Sequence, residues 1–268
     1  MKSSNVLCVA TGIQSLPIVS QVYLRLVDEM NSDDSNADTV SRIVQEDVGL
    51  SVKILQLVNS AFYGMPRQTV AVKDAIVLIG MKNLLDLVMS AQIFDTLSQA
   101  IETQEIVSKL WAKSSDIGAL AKSSAKSAGL SQNMCDTACL AGVLSHIGRA
   151  ILARTMPNEF SEMITIAEED GRPLRDLEME IFGIPQESVG AYALGIWGFS
   201  DQIVETVAMQ ESPSLSIVTD NTHPLAWVHL ARAQNRKSQY IDGITLQSSW
   251  LTKLGIDANS LVENRSAA

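Results

Sequence analysis

Leu140-Ala141-Gly142-Val143-Leu144-Ser145-His146-Ile147-Gly148-Arg149 is the stretch on which the reading of this chain turns. Its apolar residues continue on both sides without a period-two alternation, so it reads as the interior of a helix from Asp136 to Arg154 that Pro157 stops. It also sets His146, one of three histidines in the chain, between apolar neighbours.

Helical spacing extends outward in both directions. Before the stretch, a long helix covers Glu105 to Ala128 and ends at Gly129. After it, Asn158 caps a helix through Ile166, Glu168 to Gly171 form a turn, and Asp176 to Phe182 is helical again. Gly183 to Gly190 opens a further helix, packed closely through its glycines, and Ile203 to Met209 forms the next. Beyond a polar loop from Glu211 to His223, Pro224 begins a helix carrying Trp227, Val228, Leu230 and Ala231. A short helix from Thr245 to Leu254 ends at Gly255.

Toward the N-terminus, Val19, Val22, Tyr23, Leu26, Val27 and Met30 recur at helical spacing, and Val40, Ile43 and Val44 share the face of a second helix. Asp47 caps a third helix with Leu50, Ile54, Leu57 and Val58, which runs into Asn59-Ser60-Ala61-Phe62-Tyr63-Gly64-Met65-Pro66. Gly80 divides two helices between Thr69 and Phe94. The expected fold is all-α, with a lead-in over residues 1–14, an N-terminal helical bundle over 15–100, a second helical half over 101–256 and a tail over 257–268 whose last residues, Glu263 to Ala268, are disordered. The polar run Ser98 to Gln104 marks the division.

Composition narrows the function classes. The 268 residues carry a formal net charge of −10, which argues against a phosphate-binding face for nucleic acid. No apolar run approaches the ~18 residues of a membrane span, and no secretory leader is evident. Three cysteines without framework spacing, Cys8, Cys135 and Cys139, suit a reducing cytoplasm. Asp33 and Asp34 lie in a polar loop that lacks the glycine and terminal glutamate of a calcium loop.

Several stretches together resemble the HDOD domain, a signalling relative of the HD-type metal phosphohydrolases. Leu16-Pro17 looks like the start of that family's first helix, and Asp47 to Gly64, with Asn59-Ser60-Ala61-Phe62-Tyr63-Gly64 at its end, resembles its signature. Ala75-Ile76, Leu78-Ile79-Gly80, Trp111, Gly142-Val143-Leu144, Ile147-Gly148, Phe182-Gly183, Val189-Gly190 and Trp197-Gly198 follow in the family's order. The match runs from Leu16 to Leu254 and implies that the second half is HD-like.

An active HD site gathers histidines and carboxylates around metal ions that activate water. The resemblance lays the expected ligand positions onto Lys113, the pair Ser145-His146, Gln186, Gln210 with Glu211, and Arg232. Lys113 and Arg232 are cationic donors without a lone pair, and Ser145, Gln186 and Gln210 are poor ligands for catalytic transition metals. Only His146 and Glu211 could help. His223 and His229 are six residues apart, roughly 240° around a helix, and cannot face one metal.

The expectation is a degenerate HD half without catalytic residues, metal or cofactor. The leading function is then a non-catalytic signalling module working through protein partners in bacterial regulation. One alternative is a metal-dependent HD phosphohydrolase with an unconventional site. Another is a sensor that takes a small anion or nucleotide in the remnant pocket, where Lys113, Arg149 and Arg232 supply positive charge. Asn59, Ser60, Phe62, Tyr63 and Gly64 are expected to serve the helix end and the core, or a partner.

Overall fold

The computed structural model describes residues 2–16, 21–59, 69–99, 101–235 and 245–257. The helix signals in the N-terminal part become α1 (Lys2–Ser15), α2 (Gln21–Met30), α3 (Ala37–Gln45), α4 (Val48–Asn59), α5 (Val72–Ile79) and α6 (Met81–Leu97). The second part holds α7 (Ile101–Ser127), α8 (Gln132–Val143), α9 (Ile147–Thr155), α10 (Pro157–Asp170), α11 (Leu174–Ile181), α12 (Gln186–Ile196), α13 (Asp201–Met209), α14 (Pro224–Gln234) and α15 (Ser248–Lys253). No strand occurs among the described residues, and the fold is all-α.

Local chemistry sets the helix ends. Asn36 caps α3 by accepting the backbone N–H groups of Asp38 and Thr39, while the Thr39 hydroxyl oxygen accepts the Asn36 N–H. Gly80, at φ 80°, lets the chain turn from α5 straight into α6. α2 to α6 close over one core built from Leu26, Val40, Val44, Ile54, Ile76 and Leu84. A larger core spans α9 to α13 and also takes Met89, Ile93, Phe94 and Leu97 of α6, so packing continues past the polar run at 98–104. Trp227, Trp250 and Leu251 bring α14 and α15 onto α7 and α8 in a third cluster.

Three sequence expectations change. Residues 1–14, read as a lead-in, belong almost wholly to α1, which buries Val9 and Ile13 in the large core. Val6 and Leu7 stay exposed, so the apolar residues of α1 do not keep to one stripe, and the pattern is weak for that reason. Pro157 does not simply stop a helix but occupies the first position of α10, where its missing N–H costs nothing. The single helix expected over 136–154 is two helices, α8 and α9, separated by the turn Leu144-Ser145-His146. The tail, apart from Asp257, lies outside the described residues, as do Pro17 and the motif residues Ser60, Phe62, Tyr63 and Gly64.

Glycines permit two backbone crossings beside that turn. A methyl group on Gly142 would lie 2.6 Å from the Gly118 Cα, so α8 rests on the backbone of α7. One on Gly148 would lie 1.9 Å from the Gln186 carbonyl oxygen, so the first turn of α9 rests on the start of α12. Gly148→Ala should therefore cost about 3 kcal/mol or more, since neither side of the clash is a flexible side-chain tip. Gly195→Ala, at a helical site with nothing within 4 Å, should instead stabilise by about 0.5–1 kcal/mol. Urea denaturation of the two variants measures both signs.

Candidate functional site

The break between α8 and α9 leaves the Ser145 carbonyl outside either helix, fully buried, and in need of donors. Three side chains supply them. Gln186, the first residue of α12, donates Nε2 at 3.2 Å, and Gln210, at the end of α13, donates Nε2 at 2.8 Å. Arg232 of α14 donates Nη1 at 3.0 Å and shares that nitrogen with the Gln210 amide oxygen at 2.8 Å. Four segments distant in sequence thus meet at one backbone oxygen.

Around this centre the charges are paired. The second terminal nitrogen of the Arg232 guanidinium, Nη2, donates to Glu211 at 2.9 Å. Arg149, on α9, donates Nε to Glu178 at 2.6 Å, and the second oxygen of Glu178 accepts the Gln186 backbone N–H at 2.9 Å. That carboxylate therefore also sits at the N-terminus of α12, where the helix dipole favours it. Arg175, partly exposed, donates to Glu187 at 2.8 Å and lies 3.5 Å from Glu211. Three arginines face three glutamates, and all but Arg175 are nearly or fully buried. Burial pushes the Glu211 carboxyl up to about 7, against the pull of the Arg232 and Arg149 guanidiniums.

Each histidine has a separate structural place. His146 lies with Nδ1 at 3.1 Å from the Ser114 hydroxyl and 3.2 Å from the Ser145 hydroxyl. His229 has Nδ1 at 2.8 Å from the Gln210 carbonyl, while its Nε2 accepts the Gln247 N–H at 3.0 Å. Those partners require the neutral ring protonated on Nδ1, and burial lowers its pKa in agreement. His223 accepts the Leu225 N–H at the start of α14 and sits 3.4 Å from Glu205.

A divalent metal does not fit this donor set. The carbonyl oxygen at the centre is already covered by three N–H donors, one of them a cation that would repel the ion. Among the described residues no three His, Cys, Asp or Glu side chains gather as a metal would require. The structure brings Ser145, His146, Gln186, Gln210, Glu211 and Arg232 together. Lys113 is half-buried, and the α7 residue that meets His146 is its neighbour Ser114. The buried stripe Val107, Leu110, Ser114, Ile117, Ala121 passes through Ser114 and not Lys113.

Sequence reasoning missed Glu178, Glu187 and Arg175. Glu178 lies one turn after Leu174 and one residue after Leu177, on the buried face of α11, which is the signal that could have found it. Nothing comparable marks Glu187 or Arg175. Asn59 ends α4, and its side chain, like the rest of its motif, lies outside what is described.

The model of the HDOD domain family matches residues 16–213, most of the chain. The chain belongs to the HDOD family. This HDOD chain is similar to an uncharacterized protein of Treponema pallidum, 21% identical over 237 residues, which cover 88% of this chain and 45% of that one. The chain thus spans less than half the length of that relative. Among solved structures, an HDOD domain protein of unknown function from Geobacter sulfurreducens superposes with a TM-score of 0.68 at 20% identity, covering 99% of this chain and 90% of that one. A protein from Shewanella amazonensis described as a candidate phosphohydrolase gives 0.66 at 21% identity, with 97% and 93% covered. One from Marinobacter aquaeolei described as a candidate signal transduction protein gives 0.64 at 17% identity, with 99% and 63% covered. At these identities the solved structures speak for the fold.

Two measurements test the charge network. Arg232→Ala strips the Ser145 carbonyl of a donor and leaves Glu211 short of its closest cation, and should cost about 3–5 kcal/mol in urea denaturation. Glu211 gives a pH dependence of definite sign. Its folded value of about 7 lies above the ordinary 4.5, so its proton-linked stability is complete below about 4.5 and is lost as pH rises through about 7. Between about pH 5 and about pH 8, wild type should lose about 1–3 kcal/mol relative to Glu211→Gln.

Proposed function

We propose that this HDOD protein is a non-catalytic signalling module that works through protein–protein contact, its HD-like half serving as a scaffold. The observation that carries this reading is the Ser145 carbonyl, closed off by Gln186, Gln210 and Arg232, three of the positions onto which the family resemblance lays the metal ligands of an HD phosphohydrolase. Water activation needs a Lewis acid or a base with room beside it, and this centre holds a paired guanidinium and two amides.

The same packing speaks against a nucleotide or other anion in the remnant pocket. Arg149 and Arg232 are committed to Glu178 and Glu211, and Ser145, His146, Gln186 and Gln210 are completely buried. An incoming phosphate would have to break an ion pair and displace a carboxylate at the same time. Contact through the surface remains open, and aliphatic side chains stand exposed on the N-terminal half at Val48, Val52, Val77 and Leu78. The description of the Marinobacter relative as a candidate signal transduction protein points the same way. Among the described residues no single helix is long and apolar enough to cross a membrane.

Purified protein should carry no stoichiometric divalent metal and should leave phosphomonoesters and phosphodiesters intact when magnesium, manganese, nickel or zinc is added. Metal bound at one ion per chain, together with hydrolysis that Arg232→Ala changes, would overturn the proposal in favour of the phosphohydrolase.

A further inference from the structure

A cleft of about 660 Å³ lies away from the HD centre, between α1, the end of α6 and the end of α9. Its size falls within the range of small-molecule sites, about 300–1,000 Å³. Gly12 brings α1 against α9 so closely that a methyl group there would lie 2.4 Å from the Thr155 side chain, and the cleft opens beside that crossing. Leu7 and Leu16 give it apolar wall, and Leu7 is 68% exposed.

The polar lining is uneven. Ser15 donates its hydroxyl to the Gly12 carbonyl and Thr155 donates its own to the Ile151 carbonyl, so both protons are turned back into their helices. Arg154 is different. Among the described lining residues it is the one with a formal charge, and its Nε–H is shielded from solvent without meeting an acceptor. Burying such a donor without a partner is costly, and a charged donor more so.

We propose that this cleft binds a small amphiphilic monocarboxylate, its headgroup on the Arg154 guanidinium and its chain along Leu7 and Leu16. A planar carboxylate matches the guanidinium fork. One cation balances one negative charge, and among the described residues the cleft lines no second base that would hold a dianion. Arg154 also sits in the last turn of α9, where the carbonyl end of the helix dipole disfavours additional negative charge. The site is independent of the function proposed above, and either can fail alone.

Cys8 lines the same cleft and is exposed, whereas Cys135 and Cys139 are buried, so thiol modification of the native protein reports on the cleft. Octanoate should slow Cys8 modification about fivefold or more at saturation, by mass action. 1-Octanol, which has the chain without the charge, and inorganic phosphate, which has the charge without the chain, should each slow it less than about twofold. Arg154→Gln should abolish the octanoate effect, and Arg154→Lys should retain part of it, with circular dichroism confirming that both remain folded. Unchanged modification in octanoate, or equal protection by octanol, or full protection of folded Arg154→Gln, would each overturn the proposal. The comparison of octanoate with octanol on the wild-type protein decides the matter even if Arg154→Gln does not fold.

Discussion

The buried carbonyl of Ser145 is the constraint on which the HD-like half depends. A backbone oxygen released from helical bonding and excluded from water has to find donors, and a break in the middle of an apolar stretch creates such an oxygen. α12, α13 and α14 each deliver one donor to it. The delivery requires the backbones of α9 and α12 to touch, which Gly148 allows. The turn also places Arg149 on the first part of α9, where it reaches Glu178, and Glu178 in turn fixes the first N–H of α12. Helix break, glycine crossing and ion pair are therefore one arrangement and not three.

A guanidinium is a different organising cation from a metal ion. It is covalently attached, remains charged at any ordinary pH, and supplies donors in a fixed plane, whereas a metal needs lone pairs converging on a point. Arg232 uses that plane to hold a backbone oxygen, an amide oxygen and a carboxylate together. Such an arrangement can tie helices as a structural metal would, but it cannot polarise water. Replacing buried charges by apolar residues often costs no stability, so the network is better regarded as a device that fixes one packing of α9, α11, α12, α13 and α14 than as a source of net stability.

Much of this was legible in the sequence, and the failures have physical causes. Periodicity marks most of the helices because each buries a continuous stripe, and Gly80 and Pro224 mark boundaries because their backbones permit little else. The break at Leu144 to His146 carries neither glycine nor proline, since it is imposed by partners distant in the chain. α1 was missed because, among its residues with described burial, it buries Val9 and Ile13 while Leu7 faces outward. Ser145, His146, Gln186, Gln210, Glu211 and Arg232 could be nominated from the family resemblance, whereas Glu178 is marked only by its place on the buried face of α11 and Glu187 by nothing comparable, because an ion pair depends on a partner that spacing does not reveal. At Lys113 and Ser114 the burial pattern of α7 separates neighbours: Ser114 is buried against His146 and Lys113 is half-buried.

The junction between the two halves follows a different principle from the HD-like centre. Asp136 of α8 is buried and accepts Lys122 of α7 at 2.6 Å and the Gln132 amide at 3.0 Å and 3.1 Å. Across the halves it accepts Asn83 of α6 at 3.3 Å, a single neutral donor that also holds the Ile79 carbonyl at 2.9 Å. About three turns along both helices, Phe94 of α6 meets Trp111 of α7 edge to face with ring centroids 4.6 Å apart. Directional, charged bonds thus define the inside of the HD-like half, while apolar contact and hydrogen bonds from neutral donors, from Asn83 to Asp136, from Asn5 to the Ile181 carbonyl and from Thr103 to the Leu97 carbonyl, join it to the N-terminal helices. Apolar packing tolerates small displacements that a charge network does not, because dispersion and burial vary gradually with position whereas charged hydrogen bonds depend sharply on distance and angle.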